Sequence, residues 1–228
     1  MILVDTVYQR VLALANKEQR GYITPQEFNL LANQAQMEIF EQYFYDQKSE
    51  DANLKNSTEF SNVDEMLDEK LSVFKTTQPL FMTGSVATLP SNMHRLGSLF
   101  YQDSFIEIEQ VTEEELMYLQ QSPLAKPSVS TPAFVRSGST FVTVYPEPSD
   151  TVSCNYIRLP HNVAWGYIVV NEKALYNPAS STDFELHASD ETELVYKILS
   201  LAGIVIAKPG LGTYAEQQIT AQKTQEKQ

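Results

Sequence analysis

The pattern of apolar and polar positions divides the chain into helical ends and a strand-rich middle. A first helix is predicted by apolar residues at helical spacing, namely Leu3, Val7, Val11 and Leu14. The stretch Thr24-Pro25-Gln26-Glu27 predicts the start of a second helix, because it combines a capping Thr, a Pro at the first helical position and a Glu three residues after the Thr. Apolar residues of this helix form two stripes, so we expect it to be covered on more than one side.

The middle of the chain consists of short runs with the composition and alternation of strands. These runs cover residues 79–82, 86–89, 99–101, 105–108, 133–135, 140–145 and 152–157, and the apolar runs 163–170 and 174–176 predict one or two more strands. Between them, Thr112 and Glu115 repeat the capping pattern and predict a helix that ends near Gln121. The Pro- and Ser-rich residues 122–133 predict a surface loop.

The stretch VTVYPEPSDTVSCNYIRLP, residues 142–160, predicts two strands joined as a hairpin. Pro146 and Pro148 stop the first strand because proline has no amide hydrogen to donate. Tyr156 and Arg158 lie two residues apart and therefore face the same side of the second strand. We expect these two residues to attach the β domain to the helices or to a neighbouring subunit.

Helical spacing returns in the last third of the chain. Ser189 and Glu193 predict the cap of a final long helix, whose apolar face comprises Leu194, Ile198, Leu201, Ala202 and Val205. The tail from Thr213 onwards is rich in Gln and has few apolar residues, among them Tyr214 and Ile219. Such a tail is too polar to fold alone, so we expect it to become ordered against a partner through Tyr214 and Ile219.

This order of elements predicts an α+β fold. We expect a helical bundle from the N- and C-terminal helices, packed with a small antiparallel β domain and without the βαβ alternation of a parallel sheet. The predicted parts are an N-terminal helical part over residues 1–78, a β-rich domain over 79–188, and C-terminal helices over 189–228 that complete the bundle.

Composition and charge exclude several classes of protein. The 228 residues are 43% hydrophobic and carry a formal net charge of −13, so the chain is globular but lacks the clustered cations that grip nucleic acid. The single cysteine, Cys154, lies in an alternating strand, which predicts a buried thiol. We expect no signal peptide, because the N-terminus lacks a basic segment followed by a long apolar one. No apolar run is long enough to predict a transmembrane helix.

Candidate chemistry is sparse. The three histidines, His94, His161 and His187, are far apart and have no second ligand at metal-binding spacing, so we predict no metal, no cofactor and no catalytic residue. Glu107 and Glu109 raise the possibility of a paired-carboxylate glycosidase. Their alternation with apolar residues instead favours the solvent face of a strand. An acidic face of this kind also suits a passage for DNA or a basic partner.

Several motifs in order resemble bacteriophage head–tail connector proteins. Thr88-Leu89-Pro90-Ser-Asn-Met-His-Arg95-Leu96 is similar to a strand-to-turn motif of these adaptors, and Pro146-Glu-Pro148 with Tyr156-Ile-Arg158-Leu-Pro160 is similar to the hairpin that follows it. Phe184-Glu-Leu186-His187, followed by residues 193–203, resembles their passage into the final helix. Residues 16–28 resemble an N-terminal helical hairpin of structural proteins in crAss-like phages.

This resemblance implies a structural virion protein of the tail tubular protein A type, closest to the ring proteins of crAss-like phages. Such subunits form a ring of about twelve copies below the portal and extend its DNA channel. The implied partners are other copies of the chain, the portal protein, neighbouring tail or ring proteins, and DNA that passes without specific binding. The implied location is the neck or tail of a virion assembled in the host cytoplasm, with no membrane contact.

Two other classes of function remain open from the sequence. One is a β-rich module of a phage tail that binds carbohydrate or a host surface, for which Trp165 beside Gly166 is the aromatic candidate. The other is a glycosidase that uses carboxylates near Glu107.

Overall fold

The computed structural model describes residues 1–17, 23–53, 63–205 and 220. Contacts divide the chain into two compact units. The barrel unit comprises Phe74–Leu159, and the helical unit comprises Met1–Val73 together with Pro160–Gln228. Residues 160–188, assigned from sequence to the β-rich part, thus group with the helices, and the barrel unit is inserted into the helical unit along the chain.

The barrel unit contains eight strands in one sheet and one helix. The strands are β1 Lys75–Pro79, β2 Phe81–Thr83, β3 Val86–Thr88, β4 Met93–Tyr101, β5 Glu107–Gln110, β6 Ala133–Ser137, β7 Phe141–Tyr145 and β8 Val152–Arg158. The helix α4, Glu113–Gln121, lies between β5 and β6 in the chain. The order across the sheet is β1-β8-β4-β5-β6-β7-β3-β2.

The sheet curls nearly into a barrel because its two end strands are halves of one bent strand. β1 ends at Pro79, where it pairs with β8, and β2 begins at Phe81, where it pairs with β3. Leu80 lies at the bend, donates its N–H to the Val152 carbonyl over 2.8 Å, and buries its side chain. The interior is filled by residues from every side of the sheet, including Ala87, Leu99, Ile108, Phe134, Val142, Val144 and Cys154.

The predicted fold class is therefore wrong. The β part is a large, eight-stranded mixed sheet, not a small antiparallel domain beside a helical bundle. β5 and β6 pair in parallel, and α4 lies in the crossover between them, so one βαβ connection is present. The sequence understated the sheet because β1, with the sequence KTTQP, lies largely exposed and carries no apolar alternation.

The predicted hairpin over residues 142–160 is also wrong. β7 pairs with β6 and β3, whereas β8 pairs with β4 and β1. The Pro-rich segment between Tyr145 and Val152 therefore connects two strands that are not neighbours. Alternation had identified both strands correctly, but alternation is the same whichever strand lies alongside, so it could not identify their partners.

Among its described residues, the helical unit contains four α-helices and a small separate sheet. The helices are α1 Val4–Lys17, α2 Pro25–Asn53, α3 Val63–Ser72 and α5 Glu191–Val205, and the sheet comprises β9 Tyr167–Val170 and β10 Lys173–Tyr176. Both α1 and α2 contact α5, and α2 also contacts α3. Within the described part of the chain, no helix is both long and apolar enough to cross a bilayer.

Two helix starts confirm the sequence prediction and a third corrects it. Thr24 and Glu27 exchange hydrogen bonds at the start of α2, and Thr112 and Glu115 do so at the start of α4. At the last helix, a 3-10 turn over Ala188–Asp190 comes first, and α5 begins only at Glu191. His187, rather than Ser189, caps that turn.

The capping box of α2 gives a pH-dependent prediction. The Thr24 N–H and hydroxyl donate to Glu27 and hold the pKa of its carboxyl below the ordinary value of 4.5. A lowered folded-state pKa means that this stabilisation is present above pH 4.5 and is lost as the pH falls through the folded value. We expect Thr24→Ala to lower the free energy of unfolding by about 1 kcal/mol at pH 7, and by less at a pH below the folded-state pKa of Glu27.

The measurement is urea unfolding followed by the fluorescence of Trp165, which lies in the helical unit. Thr112→Ala is the matched control, because it removes the equivalent cap from α4 in the barrel unit. An equal effect of Thr24→Ala at both pH values would show that Glu27 does not contribute to this cap.

Candidate assembly surfaces

The two motifs that suggest a connector protein meet at Asn92. The Leu159 N–H donates to the Asn92 carbonyl over 2.8 Å. The Tyr156 hydroxyl lies 3.3 Å from Asn92 Oδ1 and 3.1 Å from Gln78 Oε1, so it can donate to either oxygen. Tyr156 is buried, and through these groups it connects β8, β1 and the turn before β4. This predicted assembly residue therefore stabilises the barrel unit from within.

Arg158 holds together the two ends of the barrel unit. Its backbone N–H donates to the Phe74 carbonyl over 3.0 Å, and its guanidinium lies 5.8 Å from the centre of the Phe74 ring. Phe74 is the first residue of the unit, and Leu159, whose carbonyl accepts from Arg158 Nη1, is the last. The other two predicted assembly residues, Tyr214 and Ile219, lie outside the described residues.

The candidate chemical groups do not converge on one site. His161 pairs with Glu185 at 2.9 Å, and the ring nitrogen Nδ1 of His187 accepts from the Ser189 N–H. Glu107 and Glu109 are exposed on either side of the buried Ile108, as their alternation predicts. They border a concavity of about 430 Å³, which is also lined by Gly97, Ser98, Gln110 and Phe134. Among the described residues, no group of three acidic, His or Cys side chains is placed to hold a metal ion.

Three side-chain amides of α2 bind an extended segment of the helical unit. Asn33 Oδ1 accepts from the Val163 N–H and Asn33 Nδ2 donates to the Val163 carbonyl, both over 2.8 Å. Asn29 pairs in the same two-bond manner with the backbone of Trp165, at 2.7 and 3.3 Å. Gln36 Nε2 donates to the His161 carbonyl, and Gln36 Oε1 accepts from the Glu185 N–H. We call Asn29, Asn33 and Gln36 the amide ladder.

Helix and strand geometry explain why the amide ladder on α2 fits the backbone of the extended segment 161–165. Side chains three or four residues apart lie on one face of a helix, about 5–6 Å apart along its axis. Alternate residues of an extended chain are spaced by about 6.6 Å. Asn29, Asn33 and Gln36 therefore meet every second residue of the segment 161–165 in turn. The sequence contained this signal as polar residues at helical spacing, but the interpretation considered only the apolar stripes of α2.

The amide ladder gives a second prediction. We expect Asn33→Ala to lower the free energy of unfolding of the helical unit by about 1–3 kcal/mol, because it leaves both backbone groups of the buried Val163 without these partners. Gln34→Ala is the control, since Gln34 is exposed and its side chain bonds to Glu38 in the same helix. Indistinguishable urea midpoints for the two variants would contradict a stabilising role of the ladder.

The amide ladder positions Trp165, which in turn supports a hairpin. The Trp165 ring is 3% exposed and packs between Tyr8, Tyr167 and Tyr176, with centroid distances of 4.2, 5.9 and 5.8 Å. Its indole N–H donates to Asp5 Oδ1 over 2.9 Å. Tyr167 and Tyr176 face each other at the base of the β9–β10 hairpin. The base of this hairpin therefore packs against the buried Trp165 ring through both Tyr167 and Tyr176.

The outer part of the hairpin is exposed and apolar. Ile168, Val169, Val170 and Leu175 are each between 44% and 67% exposed. The two-residue turn at Asn171 and Glu172 has positive φ at both positions, 50° and 62°, as in the tight turns that match the twist of a hairpin. Within the described residues, neither β9 nor β10 pairs with a third strand. We call these ten residues, 167–176, the hairpin prong.

A second apolar surface lies on the outside of the barrel unit. Phe81 on β2, Thr88 on β3 and Phe141 on β7 are aligned across the three strands. Val86 shares this face with Thr88, and the row beside it contains Thr83 and Thr143. Phe81 is 76% exposed and Phe141 48% exposed. We call Phe81, Thr83, Val86, Thr88, Phe141 and Thr143 the barrel patch; none of these side chains is charged, and the Glu147 carboxylate lies beside Gly84 in the turn between β2 and β3.

Comparison with known proteins adds no family assignment. No protein-family model matches the chain, and no curated protein matches it significantly.

Proposed function

We propose that the protein is a non-enzymatic virion component of a bacteriophage, a subunit of an oligomeric ring that connects head and tail. In this proposal the ring lies below the portal and extends the DNA channel. Its partners are neighbouring copies of the chain, the portal protein and adjacent ring or tail proteins. The protein is located in the neck or tail of the virion.

The observation that carries the proposal is the junction at Asn92. The motif over residues 88–96 and the motif over 156–160 are separated by about sixty residues, yet Asn92 binds both Tyr156 and Leu159. Motifs that form one structural element are expected to lie together in the fold, and the contacts at Asn92 support that expectation for these two. A further motif, over 184–187, contacts the residue that follows the second motif. Its Glu185 side chain accepts from the N–H of His161, which comes directly after Pro160.

Charge and the short end strands of the sheet also support a conduit subunit. The formal charge of −13 repels phosphate, which suits a channel through which DNA slides without binding. The sheet ends in two short strands, β1 and β2, and short edge strands reduce unregulated edge-to-edge association. The buried position of Trp165 weighs against the carbohydrate-binding alternative, which needs an accessible aromatic face.

The experiment that tests the proposal is a conditional loss of the protein during phage growth. We expect particles made without it to be DNA-containing or emptied heads that lack tails, because the portal has no adaptor. Adding the purified full-length protein to these heads together with tails should restore joined particles. Complete, infectious virions produced without the protein would refute the proposal.

A further inference from the structure

We propose that the side chains of Lys70 and Asp190 join in an isopeptide bond, a covalent amide between the amine of the lysine and the carboxyl of the aspartate. The bond forms after the helical unit has folded, and the ion pair between the two side chains is the state that precedes it. This inference assigns a covalent modification within one chain, so it does not depend on the proposed ring function.

Distance and burial bring the two reacting groups together. Lys70 lies on α3, and Asp190 is the last residue of the 3-10 turn before α5. Lys70 Nζ lies 2.8 Å from Asp190 Oδ1, and the two side chains are 11% and 1% exposed. The carboxyl carbon is one bond of about 1.2 Å from Oδ1, so the nitrogen is within about 4 Å of it, close to the separation from which bonds form.

The contacts of Asp190 supply what amide formation requires. Transfer of one proton from Nζ to Oδ1 gives a neutral amine and a carboxylic acid, and the amine nitrogen then attacks the carboxyl carbon. The Tyr43 hydroxyl donates to Oδ2, the oxygen on which negative charge develops in the tetrahedral intermediate. A second proton moves from the nitrogen to Oδ1, which leaves as water while the carbonyl re-forms at Oδ2.

Glu193 is placed to carry this second proton. It follows Asp190 by three residues, and side chains three residues apart on helical backbone are neighbours. Glu193 is 8% exposed, so its carboxyl is also largely removed from water. A carboxyl beside the reacting atoms can accept a proton from the nitrogen and return it to the departing oxygen.

Burial favours the amide over the ion pair. Two charges held out of water are costly even when they are paired, whereas an amide is neutral and keeps an oxygen for the Tyr43 hydroxyl. Leu67 and Leu71 of α3 are buried near Lys70 in the chain, which limits access of the water that would hydrolyse the bond. The bond ties α3 to the start of α5 and closes a loop that contains the whole barrel unit.

The test is the intact mass of the full-length protein after unfolding. Formation of the bond releases one water, so we expect a mass about 18 Da below that of the sequence. Trypsin should release a branched product in which the peptide containing Lys70 is joined to the peptide containing Asp190. We expect Lys70→Arg to have the mass of its own sequence, because a guanidinium stays protonated and does not attack.

Lys197→Arg is the matched control for this substitution. Lys197 also forms an ion pair, with Glu38 at 3.2 Å, but the two side chains are 17% and 39% exposed. We expect Lys197→Arg to keep the loss of one water.

The rate of bond formation tests the assignment of Glu193. We expect Glu193→Gln to form the bond about a hundredfold more slowly after synthesis, while Trp165 fluorescence shows that the variant is folded. A purely structural role of Glu193 would lower the stability without changing this rate in the folded protein. An unchanged rate would therefore overturn the proton-transfer role.

Two results would overturn the bond itself. One is a folded protein whose mass remains that of the unmodified sequence after prolonged incubation. The other is a loss of water that persists in Lys70→Arg, because the water would then come from cyclisation of an aspartate or from another reaction that does not involve Lys70.

Discussion

Asp190→Ala is expected to destabilise the helical unit by about 3–5 kcal/mol, because it removes the buried carboxylate that pairs with the ammonium of Lys70. Lys70 Nζ lies 2.8 Å from Asp190 Oδ1, and both side chains are nearly inaccessible to water, at 11% and 1% exposure. The Tyr43 hydroxyl donates to the other carboxylate oxygen, and the Lys70 ammonium lies 5.7 Å from the centre of the Tyr43 ring. These three residues therefore hold α2, α3 and the start of α5 together.

The measurement is urea unfolding followed by Trp165 fluorescence. Glu191→Gln is the adjacent control, because the Glu191–Arg10 ion pair is more exposed and is expected to contribute about 0–1 kcal/mol. A double variant, Lys70→Met with Asp190→Leu, should be more stable than Asp190→Ala alone, since neither charge then remains buried. If Asp190→Ala and Glu191→Gln have similar midpoints, the buried pair does not stabilise the unit.

Phe134→Ala is expected to destabilise the barrel unit by about 3–5 kcal/mol, because it removes a large side chain from the apolar cluster inside the curled sheet. Phe134 lies on β6 and is buried in the cluster that lines the curled sheet. The readout is the thiol of Cys154 in the same cluster. Burial raises the pKa of this thiol to about 11, so it reacts only when the barrel unit opens. We expect labelling in native buffer to accelerate by roughly a hundredfold or more.

Phe141→Ala provides the matched control for this experiment. Phe141 is also a phenylalanine of the same sheet, but it faces outward on the barrel patch and is half exposed. We expect its removal to change Cys154 labelling little. Equal labelling rates for the two variants would show that the interior of the barrel unit does not depend on Phe134.

The unfolding of each unit can be measured separately, because Trp165 fluorescence reports on one unit and Cys154 labelling on the other. Trp165 is the only tryptophan and lies in the helical unit, whereas Cys154 is the only cysteine and lies in the barrel unit. A variant can therefore be assigned to the unit whose reporter changes first.

The sequence predicted local structure better than it predicted partners. The capping residues at Thr24 and Thr112 identified helix starts because they act within one turn of the chain. In the first helix the prediction was wrong by one residue. The spacing placed Leu3 on the apolar face, but Leu3 is exposed and the adjacent Val4 is buried. Alternation identified β7 and β8 but could not show that they lie apart in the sheet, because pairing depends on residues distant in sequence.

The candidate surfaces could be predicted only in part. Polar residues form both the amide ladder and the pair of Lys70 with Asp190. A polar residue is buried only where the fold supplies a partner, and the sequence does not show which residue that partner is. Asp190 follows Ser189, where the sequence predicted the start of the final helix, but it lies in a 3-10 turn before that helix. The hairpin prong was visible as two short apolar runs, but exposure of those runs is a property of the folded chain.

The measurement that tests the central claim most directly is native mass spectrometry of the full-length protein, alone and then mixed with the cognate portal protein. The account predicts a discrete complex in which about twelve copies are bound to one portal assembly, since a closed ring must match the symmetry on which it sits. A chain that stays monomeric and does not bind the portal, while the same portal binds other virion proteins, would contradict it.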